Sequence, residues 1–285
     1  MSDKFFKACK EGKVDEVKKM LSSSSLNVNA LDKQSRTPFY IACREGHIEV
    51  VKLLLHDLRV EVNKANKGDE IPFYIACEKM HLDIVKLLLN DKRVEINTPN
   101  TFGQTPFYIA CRFGHLEIVK LLMDDRVEIN QARPDGFTPF YIACENGHTE
   151  VVKILLRDDR IEASRPEYND ATPLYVSCEK AHLEIVKQLI ACGKDINLNA
   201  KNYEGKTALD IATRRSRESR GEYETEVEFN RRRTNSLAIV ELLEAFKENE
   251  DEVRNKVRKQ LGLPSKTFSF FFFFFFSFFS PFLSF

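Results

Sequence analysis

Five Cys-x-x-x-His pairs are the residues in this chain best suited to chemistry: Cys43 and His47, Cys77 and His81, Cys111 and His115, Cys144 and His148, Cys178 and His182. Thiolate and imidazole are both zinc donors, so a metal site is the first reading to weigh. Zinc needs four ligands within about 2.3 Å of one point. Each pair here belongs to a separate segment, and packed helices stand about 8–10 Å apart. The spacing therefore favours cysteine as a small buried hydrophobe and histidine as a partner for backbone groups exposed at a turn. Carboxylates are numerous, but Glu49, Glu117, Glu150 and Glu184 recur with the same step, which reads as a solvated face and not as an acid–base pair. No nucleophile elbow, phosphate-binding loop, His-Glu-x-x-His or dinucleotide-binding glycine pattern occurs. The sequence reads as non-catalytic, with no metal and no cofactor.

Arg231-Arg232-Arg233-Thr234-Asn235-Ser236 offers a different chemistry. Upstream arginines suit a basophilic kinase. A phosphate on Thr234 or Ser236 is expected just before the "LAIVELL" helix, whose positive end favours anions. The same run also reads as a solubilising patch, the simpler alternative, or as a nuclear-localisation signal.

The 285 residues carry 43 Lys+Arg against 43 Asp+Glu. Zero formal net charge argues against a general nucleic-acid binder. Seven cysteines, an odd number, with no secretory signal in "MSDKFFKACKEGKVDEVKKM", point to a reducing compartment. The cytoplasm is the expected location, with the nucleus as the alternative.

The elements that must position these residues are repeats. Pro38, Pro72, Pro106, Pro139 and Pro173, with Ala208 in the next slot, are separated by 34, 34, 33, 34 and 35 residues. Cys9 lies 34 before Cys43, which places a divergent first unit at the N-terminus. Each unit reads as two short helices. Thr37 caps the first through its hydroxyl, Pro38 has no N–H to leave unpaired, and Gly46 ends it in the left-handed region. "HIEVVKLLL" is the second helix, with Ile48, Val51, Leu54 and Leu55 on one face. Neither helix can bury its apolar face alone, and stacking of like units solves that.

This unit resembles the ankyrin repeat, with its Thr-Pro-Leu-His-x-Ala and Gly-His-x-Glu-Val-Val-Lys-Leu-Leu text, over roughly residues 4–247. The resemblance implies an all-α solenoid of about seven helix-turn-helix units with hairpin-like connecting loops. Three departures matter. Tyr40, Tyr74, Tyr108, Tyr141 and Tyr175 replace the family's His, so a phenol must replace its hydrogen bonds or they are lost. Ile71 replaces one capping Thr, a loss of about 0.5–2 kcal/mol. "Asp-x-Arg-Val-Glu-Val-Asn"-like text, as at Asp57–Asn63 and Asp91–Asn97, carries an extra loop residue that should be tolerated.

The chain divides into a divergent N-terminal capping repeat (1–36), five repeats (37–206), a C-terminal repeat with an insertion (214–233) and a capping helix (207–262), and a Phe-rich tail (263–285). The insertion follows from spacing: Pro38 to Val51 is 13 residues but Ala208 to Val240 is 32, so about 19 are added. They read as a solvated loop or helix extension, with the second helix restarting at Asn235. Val253, Val257 and Leu261 predict a final amphipathic helix over the stack. The segment "FSFFFFFFFSFFSPFLSF" (268–285) holds 12 of 23 phenylalanines. It reads as low-complexity text from a pyrimidine-rich tract, as a tail anchor flanked by Arg258, Lys259 and Lys266, or as a packed segment.

The resemblance also implies a concave face, lined by the turn before each Thr-Pro and by the exposed end of each first helix. Those positions vary between units while the framework does not. They give Arg36, Arg44, Glu70, Lys79, Phe102, Gln104, Arg112, Phe113, Phe137, Glu145, Asn146, Tyr168 and Tyr203 as candidate partner-binding residues, centred on units three to five. Exposed aromatics among arginine and glutamate suit a protein-binding hot spot. The alternative is that Phe102 or Phe113 folds back on a neighbouring unit. The expectation is a monomeric adaptor or scaffold that binds another protein and no nucleic acid. It touches a membrane only if the tail inserts. The rival readings are a membrane-tethered scaffold, and an enzyme or a fragment of a larger multidomain signalling protein whose chemistry lies elsewhere.

Overall fold

The computed structural model describes residues 2–264, and among these it is helical with no strand. The described residues form two compact bodies, 2–162 and 163–264. The first contains α1 (Ser2–Lys10), α2 (Val14–Leu21), α3 (Pro38–Glu45), α4 (Ile48–His56), α5 (Pro72–Glu78), α6 (Leu82–Leu89), α7 (Pro106–Phe113), α8 (Leu116–Leu122), α9 (Pro139–Glu145) and α10 (Thr149–Leu155). The first helices α1, α3, α5, α7 and α9 lie side by side, as do the second helices α2, α4, α6, α8 and α10.

The helix ends follow from local chemistry. Thr37, Thr105 and Thr138 each accept the N–H of the tyrosine three residues on, at 3.0 Å, and proline follows each cap. Ile71 makes no cap bond but is buried, so apolar burial offsets the missing cap. Gly46 and Gly114 close their helices at φ 81° and 69°. Met80 occupies the equivalent position at φ 61°, a conformation costly for a residue with a Cβ. In α4 the buried stripe is Val50, Val51, Leu54 and Leu55. Val50 replaces the expected Ile48, which is half-exposed, because the stripe is wider than one i, i+3 row.

The second body contains α11 (Pro173–Glu179), α12 (Leu183–Ala191), α13 (Ala208–Arg217), α14 (Glu226–Glu248) and α15 (Glu250–Gln260). Here α11 packs on α13, α12 on α14, and α15 on both α12 and α14. Val253 and Val257 are buried in that contact. The second helix of the last repeat does not restart at Asn235: α14 begins nine residues earlier, capped by Thr225, which forms a reciprocal capping box with Glu228. Thr234 and Ser236 therefore lie inside a helix and not before one. A phosphate there gains nothing from the positive end of the helix, which lies at Glu226, and Ser236 is fully buried. Among the described residues, no helix is long and apolar enough to cross a membrane. The Phe-rich segment 268–285 and its three readings lie outside the described residues.

Candidate partner-binding surface

The side chains of the Cys and His pairs serve different ends. Cys43, Cys77, Cys111 and Cys178 are buried, and desolvation pushes their thiols well above the ordinary range. The histidine Nε2 atoms reach back one repeat to a first-helix carbonyl: His47 to Lys10 at 2.9 Å, His81 to Arg44 at 2.8 Å, His115 to Glu78 at 3.0 Å and His148 to Arg112 at 2.9 Å. A carbonyl only accepts, so Nε2 carries the proton. In the second body Arg215 Nε takes this role, donating to the Glu179 carbonyl at 2.9 Å. Helix ends leave such carbonyls without intrahelical partners.

The tyrosines at the family's His positions also reach one repeat along. Tyr40 Oη donates to Glu70 Oε2 at 2.9 Å and accepts from Asn66 Nδ2 at 3.0 Å. Tyr74 Oη donates to Gln104 Oε1 at 3.2 Å and accepts from Asn100 Nδ2 at 3.1 Å. Arg133 Nη1 donates to Tyr108 Oη at 3.4 Å, and Asn202 Nδ2 to Tyr175 Oη at 3.2 Å. The phenol thus replaces the imidazole. Burial first, then the Glu70 carboxylate, pushes the Tyr40 phenol up, keeping it a donor.

Two other repeating devices escaped the sequence. In the Asp-x-Arg text, Asp57, Asp91, Asp124 and Asp158 hold the arginine two residues on. The guanidinium then donates to carbonyls near the end of the preceding second helix: Arg59 to Leu21 at 2.9 Å, Arg93 to Leu55 at 2.8 Å, Arg126 to Leu89 at 3.3 Å and Arg160 to Asp124 at 3.4 Å. The Arg126 hydrogen bond is the main cause that holds the Asp124 carboxyl at about 2. The Asp-x-Arg text is thus a clasp, and it also forms with Asp124 and Arg126 in the 33-residue unit from Pro106 to Pro139, so it does not depend on the extra loop residue. In the second body Arg258 of α15 does the same for the Ala191 carbonyl of α12, at 2.7 Å. The second device is a ladder of amides: Asn29, Asn63, Asn97 and Asn130 each donate to the carbonyl of the next unit's clasp arginine at 2.6–2.8 Å.

The candidate contact residues separate sharply against this frame. Gln104 is 6% exposed, and its carbonyl is the acceptor for Tyr74; it is not a contact residue. Glu70 is half-buried and committed to Tyr40 and Asn66. Arg36 is tied to Asp32 at 2.6 Å inside its own turn. Phe137 is half-buried, edge-on to Tyr141 with ring centroids 5.0 Å apart, and Arg133 lies over its face at 5.4 Å. Glu145 and Arg44 are half-buried, and Arg44 pairs with Glu45 at 3.3 Å.

The others face solvent. In the first body, Phe102 is 67% and Phe113 45% exposed, with Lys79, Arg112 and Asn146 also exposed. Phe113 stacks on His115 at 5.7 Å, under the Arg112 guanidinium at 5.6 Å. Asn146 Nδ2 donates to the Arg112 carbonyl at 3.1 Å, fixing the end of α7. The loop presenting Phe102 is held by Asn100, whose Oδ1 accepts from the N–H groups of Phe102 and Gln104, both at 3.0 Å. Its edge pairs with the preceding loop through Thr101 N–H to the Gly68 carbonyl at 3.0 Å. In the second body, Tyr168 is 81% and Tyr203 67% exposed.

These stacked helix pairs, capped by Thr-Pro and cross-bonded at a fixed step, define a repeat protein of the helix-turn-helix-loop kind. Residues 73–165 and 160–221 match the family model described as ankyrin repeats (3 copies), and residues 5–55 match one described as ankyrin repeats (many copies). The chain belongs to the ankyrin repeat family. Similar solved structures include the human ASB11 ankyrin repeat domain, at 24% identity over 82% of this chain and 96% of that one, with a TM-score of 0.63. The ankyrin repeat domain of Bcl-3, a unique member of the IkappaB protein family, is 20% identical over 73% of this chain and 92% of that one, with a TM-score of 0.66. At these identities the likeness is one of fold. No curated protein sequence matches the chain. Ankyrin repeats are in general protein-interaction modules.

Proposed function

We propose that this chain is a non-catalytic interaction module, an adaptor or scaffold. It binds another protein on the face formed by the turns and first-helix ends, which the family uses as a concave surface. One observation carries the reading: Phe102 and Phe113 are exposed at positions that vary between repeats, on a frame of hydrogen bonds that does not. Phe113 is stacked on His115 and the loop that presents Phe102 is held by Asn100, and preorganised aromatics are the usual anchors of a hot spot. Arg112, Lys79 and Asn146 supply a polar rim. Tyr168 and Tyr203 are equivalent anchors on the second body.

The test is affinity capture with the chain ending at Pro264, comparing the wild type with Phe102→Ala plus Phe113→Ala. A partner held by these anchors is captured by the wild type and lost, or depleted about fivefold or more, with the double variant. Equal recovery by both refutes the assignment of the face.

A further inference from the structure

The phenols of this chain differ sharply in their access to solvent. Of its eight tyrosines, Tyr40, Tyr74, Tyr108, Tyr141 and Tyr175 are buried. Tyr168 and Tyr203 are exposed at the tips of the turns that recur in every repeat, whereas Tyr223 sits in a turn of the inserted segment, closed by the Glu224 N–H to the Gly221 carbonyl at 3.2 Å. Tyr203 N–H donates to the Asn169 carbonyl at 2.9 Å, and Tyr203 Oη donates to Glu204 at 3.0 Å. Tyr223 is different. It is 93% exposed and lies between α13 and α14, in the inserted segment.

The surroundings of Tyr223 are ordered without occupying it. Arg232 of α14 is nearly buried and ties the inserted loop down. It donates to Glu224 Oε1 at 2.8 Å and Oε2 at 3.0 Å, to the Arg215 carbonyl at 2.9 Å and to the Ser219 carbonyl at 3.3 Å. Thr225 is consumed by its capping box with Glu228. Glu222, Glu224, Glu226 and Glu228 flank the tyrosine in the sequence "GEYETEVE". The loop therefore offers one phenol, in an acidic stretch, outside any repeat turn.

We propose that Tyr223 is a phosphorylation site for a tyrosine kinase that accepts acidic flanking residues, and that its phosphate loosens the Arg232 clamp. In that step Tyr223 Oη attacks the γ-phosphorus of ATP. The Oη–P bond forms as the bond from that phosphorus to the β–γ bridging oxygen breaks. ADP leaves with the electron pair, and the phenolic proton passes to the kinase's catalytic base. The product carries about two negative charges one residue from Glu222 and one from Glu224. Like-charge repulsion and competition for Arg232 then both act against the Glu224–Arg232 pair.

The experiment incubates the full chain with Mg-ATP and a purified tyrosine kinase of acidic-flank preference, with the free peptide 216–230 as control, and maps phosphate by tandem mass spectrometry. Tyr223 is expected to take up phosphate at least about tenfold faster than the five buried tyrosines, which need local opening first, and ahead of Tyr168 and Tyr203, which lack its run of four flanking glutamates. Tyr223→Phe should remove that uptake with an unchanged thermal melt. Amide exchange at 218–226 should quicken in the phosphorylated chain. Phosphate on Tyr168 or Tyr203 in preference, a peptide modified while the chain is not, or no transfer to either, overturns the site. Selective transfer to Tyr223 with unchanged exchange at 218–226 overturns the loosening.

Discussion

At the residue scale, variation between repeats has two causes that a sequence does not separate. Phe102 and Gln104 stand two residues apart in one turn; one is exposed and the other is buried under Tyr74. Gln104 differs from its counterparts because a neighbour's phenol needs an acceptor, and only the three-dimensional pairing shows that. Glu70 is the same case with Tyr40. Tyr74→Phe should cost about 1 kcal/mol by denaturant titration, the usual net worth of such a bond, because Gln104 keeps its Asn100 partner at 3.3 Å. A second prediction concerns backbone strain. Met80, at φ 61° and mostly exposed, should tolerate Met80→Gly with a gain of up to about 1 kcal/mol, since relief of roughly 1–2 kcal/mol exceeds glycine's entropy cost. Gly46→Ala should destabilise, because the added Cβ falls 2.6 Å from the His81 ring. Thermal melts of the two variants should move in opposite directions.

At the element scale, Thr-Pro and Gly signals gave the ends of α3 and α7 correctly, because capping is local chemistry. The start of α14 is not where periodicity places it. Its capping box, Thr225 and Glu228, is written in the sequence, but the first turns, "EVEFNRRR", have no apolar stripe to mark them as helix, and the loop before them is held by Arg232 reaching Glu224 eight residues back. The arginine clasps were equally hidden, since their acceptors are main-chain carbonyls 36–38 residues away. Arg93→Ala should therefore destabilise measurably although the side chain lies in a loop, by about 1 kcal/mol after allowing for its exposure. The α14 clamp has a pH signature. The hydrogen bond from Arg232 is the main cause that lowers the Glu224 carboxyl from its ordinary 4.5 to about 2. A depressed carboxyl stabilises the fold above its ordinary value, and that contribution fades as pH falls towards 2. The stability gap between wild type and Glu224→Gln should thus be full at neutral pH and close between about pH 4.5 and 2, as read by urea melts across that range.

At the scale of the whole molecule, a repeat architecture puts its framework and its specificity in different residues of the same unit. His, Tyr, the clasp arginines and the asparagine ladder bind repeat to repeat, and the turn tips and first-helix ends are left over. Binding should then depend on Phe102 and Phe113 but not on the outer second-helix faces, where pairs such as Glu117–Lys120, 2.6 Å apart, make only local contacts. The most direct measurement is the dissociation constant of a captured partner, by calorimetry, for the wild type, for Phe102→Ala plus Phe113→Ala, and for Glu117→Ala plus Lys120→Ala. The expected result is a loss of about 2 kcal/mol or more for the first pair and no significant change for the second. An affinity unchanged to within about 1 kcal/mol in the phenylalanine variant, or a loss confined to the outer-face variant, contradicts the proposed surface.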